Sequence, residues 1–78
     1  MQTVEVRLNT IDKVKNFVRV LANYDGYFDL TSDKRVVDAK SIMGIFTMNL
    51  TKNMQLRIIE TNDNMDDLMR DLQPFMAA

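Results

Sequence analysis

The hydrophobic residues of this chain change period along its length, and that alternation restricts the fold more than any single motif. Thr3 to Leu8 alternates, with Val4, Val6 and Leu8 facing one way and Thr3, Glu5 and Arg7 the other, which predicts a half-buried first strand. Asn9-Thr10 then supplies capping residues ahead of Ile11, Val14, Phe17, Val18 and Leu21. Their spacing of three and four makes one apolar helix face. Gly26, one of two glycines, follows as the natural place for an unusual backbone angle.

Tyr27 to Thr31 predicts a second strand with Phe28 and Leu30 inward, and Ser32-Asp33-Lys34 a turn that returns the chain as a third strand over Arg35 to Asp38. Ser41 precedes the short apolar run Ile42-Met43-Gly44-Ile45-Phe46 and is a natural N-cap for a short helix. Met54 to Glu60 alternates again, with Met54, Leu56 and Ile58 inward. Thr61-Asn62-Asp63 then opens a last helix carrying Met65, Leu68, Met69, Leu72 and Met76 on one face. Pro74 should end or distort its last turn, leaving Phe75 to Ala78 to cover an edge of the core or fray. Four half-buried strands and amphipathic helices predict an α+β fold, an open antiparallel sheet with every helix on one side.

Composition narrows the chemistry. With 78 residues there is room for one small domain, expected to span residues 1–78. Ten basic and eleven acidic side chains give a net charge of -1, so neither nucleic acid nor an anionic membrane is an expected partner. The absence of cysteine, and a start at Met1-Gln2-Thr3-Val4-Glu5 without the apolar core of a signal peptide, predict a cytoplasmic protein. Without cysteine or histidine there is no thiolate, no imidazole and no usual zinc ligand, and no pairing of nucleophile with base is visible; an enzyme is not expected. Asp63, Asp66 and Asp67 read as a solvated helix start, so no metal or cofactor is expected.

The run Ala39-Lys40-Ser41-Ile42-Met43-Gly44, together with the order of elements, resembles the HPr family, the small phosphocarriers of the bacterial sugar phosphotransferase system. The correspondence runs from Phe17 to Ile58 without a gap. It implies an open-faced β-sandwich of order βαββαβα. The carriers hold phosphate on a histidine at the start of the first helix, followed by an arginine two residues on and then a proline. Thr10, Asp12 and Lys13 occupy those positions here. A threonine hydroxyl is a poor nucleophile at neutral pH, and Asp12 repels a phosphoryl group that the family's arginine would clamp.

Ser41 matches the family's second site, a serine phosphorylated in some members by an ATP-dependent kinase so that the protein docks on a LacI-type regulator in catabolite repression. One branch lacks the histidine and keeps the serine. The resemblance therefore implies a non-catalytic regulatory or binding module with Ser41 as the kinase target and Lys40, Ile42, Met43 and Phe46 as the partner surface. It also implies that a phosphate on Ser41 meets Asp12 nearby. Expected partners are proteins, HPr kinase/phosphorylase and a LacI-type regulator, and the expected state is a monomer or weak dimer. The alternative is a phosphocarrier-related or diverged binding domain with an unrelated partner.

Overall fold

The computed structural model describes residues 2–77. Strand β1 (Gln2–Val6) leads into helix α1 (Ile11–Leu21), then the hairpin β2 (Tyr27–Ser32) and β3 (Arg35–Asp38), helix α2 (Ile42–Phe46), strand β4 (Met54–Glu60) and helix α3 (Met65–Leu72), closed by a 3-10 turn over Gln73–Phe75. The four strands form one antiparallel sheet in the order β1-β4-β2-β3. This is the α+β open-faced arrangement that the alternating and helical periods predict.

The pleat explains why the helices gather on one face. Val4 and Val6 of β1, Phe28 and Leu30 of β2, and Met54, Leu56 and Ile58 of β4 are buried, and their neighbours in sequence are not. Val14, Phe17 and Leu21 of α1, Ile45 of α2, and Leu68 and Leu72 of α3 join them in one apolar cluster. Phe17, its largest fully buried side chain, stands edge-on to Phe75 with ring centroids 5.5 Å apart. No polar or charged residue is buried among the described residues. Across the sheet Arg57 Nη2 pairs with Asp29 Oδ2 at 2.9 Å, and Tyr27, Val36 and Ile59 of the strands are exposed.

Several boundaries differ from the sequence expectation: β2 continues to Ser32, and α3 ends at Leu72, so Met76 lies past it and bridges to Val6. β1 stops at Val6 because its partner there, Met54, is the first residue of β4, so Arg7 and Leu8 have no strand opposite them. The Arg7 N–H donates to the Phe75 carbonyl oxygen at 2.8 Å and the Ala77 N–H to the Glu5 carbonyl oxygen at 3.0 Å. The C-terminal segment thus covers the outer edge of β1, one of the two roles expected of it; Ala78 lies outside the described residues. The last helix begins at Met65 rather than at Asp63, because the Asn64 side chain takes the cap, accepting from Asp66 N–H at 2.8 Å and Asp67 N–H at 3.2 Å. Asp63 accepts instead from the Asp25 N–H, at 2.6 Å, and ties the α1–β2 loop to the start of α3.

That loop is also fixed by Gly26 and Tyr24. Gly26 has φ 135°, and a Cβ there would collide with the Glu60 carbonyl oxygen. The close approach coincides with a bulge, since Phe28 pairs with Ile58 while Tyr27 pairs with Glu60, leaving Ile59 between them. Tyr24 is buried, and its phenol donates to Asp71 Oδ2 on α3. The bond to Asp71 pushes the Tyr24 phenol up to about 12, with desolvation and the Asp71 charge adding to the rise. The same bond, with Arg70 beside it, holds the Asp71 carboxyl below its ordinary value.

These contacts and the β2–β3 turn each give a test. Gly26→Ala should destabilise the fold by about 2 kcal/mol or more in urea denaturation, since it adds both strain and a backbone collision. Asp33→Gly, at the positive-φ position of the β2–β3 turn (φ 54°), should change stability by less than about 1 kcal/mol. In the Tyr24–Asp71 pair, Asp71 contributes stability that is present above the ordinary carboxylate pKa and lost as pH falls through its lowered folded value. Tyr24 contributes stability present below a phenol's ordinary pKa of about 10 and lost as pH rises through its raised one. Urea midpoints of native protein and Tyr24→Phe should therefore differ by a constant amount between about pH 5 and pH 9 and converge at both extremes.

Candidate functional site

Two hydroxyl side chains cap helices on the same layer of the fold, and the geometry around each decides what it can do. Thr10 is the N-cap of α1, with extended backbone angles (φ -137°, ψ 157°), and its Oγ1 accepts from the Lys13 N–H at 3.1 Å. That bond needs an N–H at position 13, which a proline there could not give. Asp12 lies in the first turn, where a carboxylate suits the positive end of the helix and opposes an incoming anion. Thr10, Asp12 and Lys13 together make an ordinary capped helix start. The relation between Thr10 and Lys13 was open to sequence reading, because Thr followed three residues later by a residue with an N–H is a standard cap.

Ser41 is the N-cap of α2, also extended (φ -96°, ψ 105°), and its Oγ accepts from the Gly44 N–H at 3.1 Å. The Ser41 N–H donates to the Asp38 carbonyl oxygen and the Lys40 N–H to Asp38 Oδ1, both at 2.9 Å, so the turn after β3 is tightly hydrogen-bonded. Gly44 leaves room beside the hydroxyl: a Cβ there would stand 3.2 Å from Ser41 Oγ and 3.2 Å from Val37 Cβ. Ser41 itself is half-buried.

The α2 side chains divide as a short helix over a sheet requires. Ile45 is fully buried and Ile42 is partly packed on the core, whereas Met43 is 76% exposed and Phe46 40%. Ile11, at the start of α1, is 59% exposed as well. Met43 and Phe46 thus present apolar surface to solvent from the helix that Ser41 opens.

Lys40 behaves differently from its neighbours in the run. Its ammonium donates to the Tyr24 carbonyl oxygen at 2.6 Å and stands 5.2 Å from the centre of the Phe28 ring, so its charge is engaged within the fold. Sequence reading had no means of finding this contact, since its partner is sixteen positions away and is a main-chain atom. The same contact places the Ser41 turn toward the C-terminal end of α1. Asp12 sits at the other end of that eleven-residue helix, which is about 16 Å long.

Among the described residues no three Asp or Glu side chains are grouped to hold a metal ion, and no helix is long and apolar enough to cross a membrane.

No curated protein matches the chain. The crystal structure of HPr-C-His from Thermoanaerobacter tengcongensis superimposes on it with a TM-score of 0.74, at 20% sequence identity, over 92% of this chain and 86% of that one. That likeness is one of fold. The family model described as the PTS HPr component phosphorylation site matches residues 13–78, a span that includes Ser41 and begins after Thr10 and Asp12. The chain belongs to the HPr family of the phosphotransferase system, as a member with no histidine among its 78 residues.

Proposed function

We propose that this protein is a non-catalytic regulatory or binding member of the HPr family, acting as a single domain in the cytoplasm, with Ser41 as the target of an ATP-dependent kinase. The observation that carries the reading is the pairing of a capping Ser41 hydroxyl with the exposed Met43 and Phe46 on one short helix. Phosphorylation would add close to two negative charges beside an apolar contact surface, which changes what that surface can bind. A phosphocarrier role is disfavoured by the chemistry at the other cap. Thr10 is a weak nucleophile already used as a cap, and Asp12 opposes phosphate there.

On this reading the partners are proteins, with HPr kinase/phosphorylase as the modifying enzyme and a LacI-type regulator as the reader. Ile42, Met43 and Phe46 form the contact surface, with Lys40 at its border. Asp12 favours a second reading. It reverses the charge at the position where the family presents an arginine to partners, which fits a diverged binding domain with an unrelated partner.

Incubation with ATP and an HPr kinase, followed by intact mass measurement, should show one phosphate on the native chain and none on Ser41→Ala; a native chain that gains no mass rules the kinase reading out. The substitution should itself lower stability by about 1 kcal/mol through loss of the cap, while Ser41→Asp, which can also cap, should keep most of it. Met43→Ala should leave stability within about 0.5 kcal/mol of native, given the exposure of the side chain, and should weaken binding of whatever protein docks on α2. Calorimetric titration of that partner against both forms measures the difference.

A further inference from the structure

The turn that carries Ser41 is held to the β2–β3 hairpin by main-chain bonds and to the α1–β2 loop by one charged side chain. Ala39, fully buried, donates its N–H to the Phe28 carbonyl oxygen at 2.9 Å, and Lys40 and Ser41 both return to Asp38 through their N–H groups. These bonds hold the turn to the β2–β3 hairpin. The Lys40 ammonium reaches the other way, to the Tyr24 carbonyl oxygen just beyond α1, and lies over Phe28 on β2. The Tyr24 carbonyl lies in the α1–β2 loop, past the Ala22 C-cap, and takes its hydrogen bond from this ammonium.

We propose that Lys40 is a positioning residue for Ser41: by clamping the β3–α2 turn to the α1–β2 loop, it holds the Ser41 hydroxyl at its capping position on α2. The role in phosphorylation rests on the reading of Ser41 as a kinase target; the positioning itself does not. Capping requires Ser41 to keep its extended backbone while Oγ stays within reach of the Gly44 N–H. The flanking residue on its N-terminal side is the one whose side chain bridges to the α1–β2 loop. A clamp at that position removes freedom from the turn that the cap would otherwise have to remove itself.

A double-mutant cycle tests this directly, because an independent stabilising role of Lys40 gives additive effects and a positioning role does not. Lys40→Met keeps the stem over Phe28 and removes the donors. In the native background Ser41→Ala should lower the folding equilibrium constant about fivefold. In the Lys40→Met background the same change should lower it less than about twofold. Equal factors in the two backgrounds overturn the proposal. If Lys40→Met does not fold, Lys40→Gln serves for the same cycle.

The second arm reads the kinase. Lys40→Met should reduce kcat/KM for phosphorylation of the chain about fivefold, with Lys40→Arg, which can also donate to a carbonyl and stack on an aromatic ring, recovering most of it. Phosphorylation of Lys40→Met at the native rate overturns the proposal. A native chain that takes no phosphate at all removes the kinase reading and leaves the cycle to decide the role of Lys40.

Discussion

Everything in this molecule rests on the apolar contact between one face of a four-stranded sheet and the helices laid across it. Phe17 of α1 is the largest fully buried side chain in that contact, with Leu21 in the same stripe, Leu68 and Leu72 on α3, and Phe75 folded back from the C-terminus. Apart from the Tyr24 phenol, hydrogen-bonded to Asp71, the core is apolar and imposes position through shape. Polar groups set direction at the rim. Asn64, Thr10 and Ser41 cap helices, Asp63 and Thr61 hold the α1–β2 loop, and the C-terminal segment covers the edge of β1.

The two serine and threonine caps illustrate how one local device acquires different meanings. Both hydroxyls accept a main-chain N–H three residues on, at the same 3.1 Å. At Thr10 the surroundings are those of a plain helix start, with Asp12 in the first turn and the Lys13 N–H in use. At Ser41 the helix is one turn long, the glycine at its third position leaves the hydroxyl space, and the side chains beside it are apolar and exposed. Thr10, Asp12 and Lys13 form a stable capped helix end.

Most of the fold could be read from the sequence, because alternation and helical spacing report directly which side chains face the core. Val4, Val6, Phe28, Leu30, Met54, Leu56 and Ile58 all point inward as their periods predict, and Gly26 has the unusual backbone its isolation suggests. The errors fall where a boundary depends on a partner distant in sequence. Nothing in Arg7-Leu8 announces that β4 begins too late to pair with them, and three successive polar residues offered equally good caps before the fourth, Asn64, took the role. The candidate site was legible as residue types, and the exposure of Met43 agreed with a helix of one turn. Its supporting contacts were not legible: Lys40 with Tyr24, and Tyr24 with Asp71, join side chains and main chain across 16 and 47 positions.

The central claim is that Ser41, and not the helix start at Thr10, is where this protein carries phosphate. Phosphorus-31 NMR of the chain decides it most directly, recorded after parallel exposure to ATP with an HPr kinase and to phosphoenolpyruvate with the first enzyme of the phosphotransferase system. The account predicts a single phosphoserine signal from the ATP reaction, absent in Ser41→Ala, and no signal from the phosphoenolpyruvate reaction. A signal from phosphoenolpyruvate that persists in Ser41→Ala and disappears in Thr10→Ala would contradict it.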